Sequence, residues 1–367
     1  MIPMPTTGTA DLMRTAAAFN AKLAAGVEKL SRIKDADVQI ATTPKDEIFR
    51  TDKVTLYRYR PLAEQKIKTP VLIVYSLIGR YTMTDLQEDR SLIRNLLKQG
   101  VDVWVVDWGN SSRADRYLTM GDYVLGYLDA CVEVMQRQAG APKVSMLGIC
   151  EGGVYTLCYA ALVPERVQGL VLTVTPLDFH ADQSEQKLEH GYINVWTRSL
   201  TAQDVDRMIE VWGVLPGEFM SAVFSMLTPI RSITKYNLDL LDVVEDEAKL
   251  LNFLRMEKWL ADRPHHAGEA AKQWLKELYQ QNKLIKSELE LDGHKVELRN
   301  VTAPVLNIYA QDDHIIPPPT VRVLGGKLGT DDYTELGLAG GHIGLFVSSK
   351  SQGIVGKGTV DWLAERD

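Results

Sequence analysis

Gly148-Ile149-Cys150-Glu151-Gly152-Gly153 decides how this 367-residue chain is read. The run Val144-Ser145-Met146-Leu147 before it reads as a short buried strand, and Val154 to Leu162 reads as a helix bounded by Pro164. Strand, tight turn and helix form the context of a nucleophile elbow, here with cysteine at the apex. Glycines around the turn let the backbone bend sharply and hold the apical side chain in a strained, exposed position. A thiol there stands at a helix N-terminus, where the dipole and free amides favour thiolate. Taken alone, the stretch also fits a glycine-rich strand–helix turn around a buried cysteine.

Two downstream stretches separate these readings. Val305 to Ala310 reads as another buried strand, followed by Gln311-Asp312-Asp313-His314. Gly340-Gly341-His342-Ile343-Gly344 then places a histidine between glycines, ahead of a C-terminal helix. A histidine among such small residues is one whose ring needs room and whose backbone needs unusual dihedrals. Acid beyond a strand end, then histidine on a loop, gives the order Cys150, Asp313, His342. That is the nucleophile–acid–histidine order of the α/β-hydrolase fold.

The rest of the chain supports a doubly wound, mostly parallel sheet. Val54 to Tyr59 alternates as an antiparallel edge strand. Val71–Ser76, Val101–Val106, Leu170–Val174 and Tyr333–Leu336 supply further strands. Helices are expected over Asp85–Gln99, ending at Gly100, and over Gly121–Gln138. The alternation fails between about Pro176 and Val301, where helical patterns recur at 203–212, 218–226, 247–261 and 269–281. Asp292-Gly293 in this region suits a primed hairpin turn. The expected layout is therefore a helical N-terminal segment (1–44), a core (45–176 and 301–367) and a mainly helical cap insertion (177–300). Trp212, Phe219, Phe224, Trp259 and Trp274 make that insertion apolar, fit either to pack a cap or to line a channel.

Composition excludes several classes. A net charge of -7 and a pI of about 5.6 argue against a general nucleic-acid surface. Cys131, Cys150 and Cys158 have no paired spacing, as in a reduced, cytoplasmic protein. No Cys/His cluster has zinc-ligand spacing, so no metal is expected. No signal pattern opens the chain, and no apolar run approaches membrane-spanning length.

The chain resembles the polyhydroxyalkanoate synthases, most closely the short catalytic subunit of the class III, two-subunit type. The matching segments include the elbow, Ala310 to Pro318 and Gly340 to Gly344. Further matches are Thr84-Asp-Leu-Gln-Glu-Asp-Arg-Ser91, Asn252-Phe-Leu-Arg-Met-Glu-Lys-Trp259, Ala267-Gly-Glu269 and Tyr279-Gln-Gln-Asn282. There are two departures beside the elbow: Gly79 stands where relatives usually have asparagine, and Glu151 where glutamine is common.

The resemblance implies polymerisation of a short (R)-3-hydroxyacyl-CoA through a thioester on Cys150. His342 would be the base and Asp313 its orienting acid, selected over Asp312 because it immediately precedes the His-Ile-Ile-Pro-Pro segment. Oxyanion donors are expected from the backbone N–H of Glu151 and from Leu77 or Ile78. No cofactor is implied, since CoA arrives with the substrate and leaves. The implied partners are the growing polyester and its granule surface, a second non-catalytic subunit and another copy in a homodimer. The alternatives are a cysteine thioesterase or dienelactone-type hydrolase, and a binding protein on the same fold.

Overall fold

The computed structural model describes residues 28–181, 192–227, 246–348 and 350–367, with Arg14, Ala17, Ala24, Gly26, Val243 and Val244. Much of the helical segment expected over 1–44 lies outside the described residues.

Eight strands form one sheet: β1 (Lys45–Thr51), β2 (Val54–Tyr59), β3 (Val71–Val74), β4 (Val103–Asp107), β5 (Val144–Ile149), β6 (Val167–Thr173), β7 (Val305–Ala310) and β8 (Tyr333–Leu338). Their spatial order is β1-β2-β4-β3-β5-β6-β7-β8. β2 pairs antiparallel with β1 and β4, and from β4 onward every neighbouring pair is parallel. All four residues of β3 are fully buried, as a central strand covered on both faces requires. This is the α/β-hydrolase arrangement that the alternation of strands and helices implies.

The helices are α1 (Leu92–Lys98), α2 (Asp129–Ala139, continuing a π-helical stretch Asp122–Leu128), α3 (Glu151–Leu162) and α4 (Ser351–Ala364) in the core. Between β6 and β7 lie helices at Tyr192–Ser199, Ala202–Trp212, Gly217–Leu227 and Glu247–Ala261. Gly268–Lys272 runs on as a π-helix through Gln280. The Asp292-Gly293 hairpin forms as expected: both residues have positive φ (50° and 80°) between the pairs Leu291–His294 and Glu290–Lys295.

Two local readings change. The helix expected from Asp85 begins only at Leu92, where Ser91 Oγ accepts the Arg94 amide as an N-cap. Residues 85–91 instead make a small hairpin, because Asp85 turns inward to accept from Thr43 and Ser91 at 2.7 and 2.6 Å. β1 was not foreseen. Its sequence Lys-Asp-Glu-Ile-Phe-Arg-Thr carries little apolar alternation, and pairing with β2 rather than burial defines it.

The chain divides into two compact units, one comprising 1–40 with 228–258 and one comprising 41–227 with 259–367. In the first, Lys29 Nζ donates to the Val244 carbonyl at 2.9 Å and Lys258 Nζ meets Asp35 at 2.6 Å. These boundaries differ from a cap spanning 177–300. Val205, Ile209, Ala270, Trp274 and Leu278 of the insertion belong to the same apolar cluster as Val54, Leu72 and Trp104 of the sheet, so those segments fold with it. Trp274 and Met220 are buried packing residues, whereas Trp212 and Met226 are exposed. Among the described residues, no helix is long and apolar enough to cross a membrane.

Candidate active site

β5 runs directly into Cys150, whose backbone takes φ 55° and ψ −124° before α3 begins. Such a conformation is strained for a residue with a side chain, and its surroundings hold it there. The Cys150 amide donates to the Thr173 carbonyl at 2.9 Å, and its own carbonyl accepts from the Gly153 amide at 3.0 Å. The glycines serve the turn differently from the expected bend: the positive φ falls on Cys150 itself. A Cβ on Gly148 would meet Thr156 Oγ1 and Gly153 Cα, one on Gly152 the Val74 carbonyl, and one on Gly153 Thr175 Oγ1. They are glycines because backbone and hydroxyl groups pack where side chains would stand.

β7 delivers Asp313. This carboxylate is 4% exposed; Oδ1 accepts the Ile315 and Ile316 amides at 2.9 Å each, and Oδ2 accepts His342 Nδ1–H at 2.7 Å. Its neighbour Asp312 points elsewhere, accepting the Gly340 amide at 3.1 Å and so tying down the loop that carries His342. With Nδ1–H on the carboxylate, Nε2 of His342 is the nitrogen left for the cysteine. Burial alone would depress the His342 pKa, but the charges of Asp313 and Cys150 outweigh it and push it up to about 10. Cys150, Asp313 and His342 thus come together from three separate strand ends.

Near the elbow, the structure departs from expectation. The Leu77 amide donates to Glu151 Oε2 at 3.0 Å and the Ile78 amide to Ser76 Oγ at 3.1 Å, so both already have acceptors. The Glu151 amide, at the first position of α3, has no intrahelical acceptor to reach. The segment after the Glu247–Ala261 helix supplies groups that sequence reading missed. Arg263 Nη1 donates to the Ile78 carbonyl at 2.9 Å and its Nε to Ser221 Oγ at 3.0 Å. Burial lowers the Arg263 pKa, against the charges of Tyr75 and Cys150 that favour the cation. His266 Nε2 meets the Glu151 carboxylate at 2.8 Å. Arg263-Pro264-His265-His266 has no apolar period, and nothing in it signalled a place beside the elbow.

The site can carry out nucleophilic acyl chemistry: a thiol on a strained apex, a histidine able to take its proton, and a buried acid orienting that histidine. Residues 69–349 match the family model described as alpha/beta hydrolase fold. Residues 6–96 match that of the poly-beta-hydroxybutyrate polymerase (PhaC) N-terminus. A poly(3-hydroxyalkanoate) polymerase subunit PhaC from Synechocystis is 44% identical over 95% of this chain and 91% of its own. Those of Allochromatium vinosum and Thiocystis violacea are 41% and 40% identical, each over 95% of both chains.

Proposed function

The chain belongs to the poly(3-hydroxyalkanoate) polymerase family, and from that premise we infer that it converts (R)-3-hydroxyacyl-CoA, 3-hydroxybutyryl-CoA in the first instance, into polyester with release of CoA. Enzymes of this family are acyltransferases. The observation that carries the reading is the strained Cys150 at the end of β5, together with the 2.7 Å bond of His342 Nδ1 to the buried Asp313 carboxylate.

In the inferred cycle, His342 takes the Cys150 thiol proton and the sulfur attacks the thioester carbonyl. The C–S bond to CoA breaks, a new one forms to Cys150, and His342 returns the proton to the departing CoA thiolate. A 3-hydroxyl then loses its proton to His342 and attacks the acyl-cysteine. The new C–O ester bond releases Cys150. Thiol-to-thiol exchange changes bond type little, and ester formation from a thioester is downhill, so cysteine suits both steps. Asp313 holds the imidazole in its Nδ1–H tautomer throughout. The Glu151 amide supports the oxyanion; Leu77 or Ile78 could add a second amide only by giving up its present bond.

CoA enters with the substrate and leaves, so the cycle needs no further cofactor. The relatives' designation as subunits supports a second, non-catalytic synthase subunit. The inferred active form is a cytoplasmic homodimer at the surface of a polyester granule. Incubation with 3-hydroxybutyryl-CoA, following CoA release and turbidity together, tests the reading. CoA release with rising turbidity is expected. Release without polymer indicates a cysteine thioesterase or dienelactone-type hydrolase, and no acylation of Cys150 overturns the covalent scheme.

A further inference from the structure

Glu151, next in the chain to the reacting cysteine, buries its side chain completely. Four groups converge on its two oxygens. Ser76 Oγ–H and the Leu77 amide reach Oε2 at 2.9 and 3.0 Å; Tyr155 O–H and His266 Nε2 reach Oε1 at 2.9 and 2.8 Å. Ser76 already accepts the Ile78 amide, which leaves its own proton for Glu151. Two oxygens with two lone pairs each accept four bonds, so the group is saturated as a carboxylate. Burial opposes that charge, but His266 and the hydroxyl donors outweigh it and hold the Glu151 pKa below the ordinary glutamate value.

His266 is equally enclosed, at 1% exposure. Its Nδ1 faces the Ala267 carbonyl at 3.2 Å; a carbonyl only accepts, so Nδ1 carries a proton. Nε2 faces an ionised carboxylate and carries one too. Both ring nitrogens thus face acceptors, a setting that a doubly protonated ring satisfies, and the indole of Trp274 lies beside it, centroid to centroid 6.0 Å.

We propose that His266 is a positioning residue whose positive charge cancels that of Glu151, letting the carboxylate pin the Ser76–Ile78 loop and the start of α3 without opposing the Cys150 thiolate. The proposal rests on Cys150 being the nucleophile. Without His266, the buried carboxylate has two outcomes. It stays charged and repels a thiolate one residue away, or it takes up a proton and gives up one of its four donors. Both outcomes slow Cys150. Removing both charges relieves the conflict: the oxygen of a glutamine at 151 still accepts from Ser76 and Leu77, and its NH2 donates to a glutamine at 266.

The test is the rate at which iodoacetamide alkylates Cys150 in the full chain at neutral pH, read by peptide mass, with single-turnover CoA release from 3-hydroxybutyryl-CoA alongside. His266→Gln is expected to slow alkylation about tenfold, and the double variant E151Q/H266Q to return to within about threefold of the unaltered protein. An H266Q variant as reactive as the unaltered protein overturns the proposal, as does a double variant no faster than H266Q. If H266Q does not fold, a folded double variant with restored alkylation supports the charge argument; a slow or unfolded one overturns it. Alkylation needs no CoA substrate, so loss of CoA release in the unaltered protein would sink the polymerase reading and leave this test standing.

Discussion

His342 Nδ1 stands 2.7 Å from Asp313 Oδ2 across 29 residues of sequence. The two residues follow β7 and β8, parallel neighbours whose pairing runs unbroken from Val305–Tyr333 to Ala310–Leu338. The two side chains are therefore set by one stretch of backbone pairing, and each can be perturbed without touching the other's strand.

Asp313→Asn should lower turnover on the order of a thousandfold, because an amide turned toward Nδ1 favours the wrong imidazole tautomer. Asp312→Asn should stay within about threefold, since it loses only part of an exposed bond to the Gly340 amide. Single-turnover acylation and chain-growth assays on both variants check this. The reverse order would move the acid role to Asp312.

His342 has a folded pKa of about 10 against an ordinary 6.5. The raised value means its stabilising contribution is fully present below about 6.5 and fades as pH climbs through 10. The stability gap between the unaltered protein and His342→Gln should thus be widest at the acid end of that window and close toward the alkaline end. Urea midpoints of both proteins measure it. A gap that widens with pH contradicts the ion-pair geometry.

Cys150→Ser should abolish acylation while leaving the fold intact, because an alkoxide is neither accessible near neutral pH nor a comparable acyl carrier. Cys131 and Cys158 are fully buried, and burial pushes both thiols up to about 12. Cys131→Ser and Cys158→Ala should keep acylation and lose only stability, about 1 kcal/mol each. Mass spectrometry of the acylated chain and thermal melts separate the two effects.

The central strands were legible because burial on two faces leaves unbroken apolar runs, and Cys150 and Asp313 follow two of them, whereas β8, ahead of His342, is only partly buried and read less clearly. β1 was not, since an edge strand rich in Lys, Asp and Arg is defined by its partner and not by its own pattern. The late start of α1 could have been found: Ser91 before Leu92-Ile93 is an N-cap signature. Glu151 read as part of the elbow and as a backbone oxyanion donor, and only the fold reveals that its side chain turns inward to meet His266, 115 residues away. The commitment of the Leu77 amide follows from that same long-range pairing, which no local window contains.

Gly152→Ala should cost on the order of 3 kcal/mol or more, or prevent soluble expression, because its Cβ would overlap the Val74 carbonyl. Gly140, at the end of α2, has φ 65° and open space around its Cβ position, so Gly140→Ala should cost only about 1 kcal/mol. Thermal melts of the pair distinguish a steric demand from a dihedral one.

The β7–β8 pairing works as a ruler for the chemistry. A slip of a single residue would carry the His342 loop about 3.3 Å along the sheet and invert which faces its side chains meet. The connection between β6 and β7 has no such calibration. Its length matters only insofar as the chain returns to pair Val305 with Leu170. Changes of length in the β6–β7 connection therefore leave the spacing of Asp313 and His342 in place, whereas one residue inserted within β7 or β8 detunes it. The connection and the paired strands can accordingly change at different speeds along the same chain.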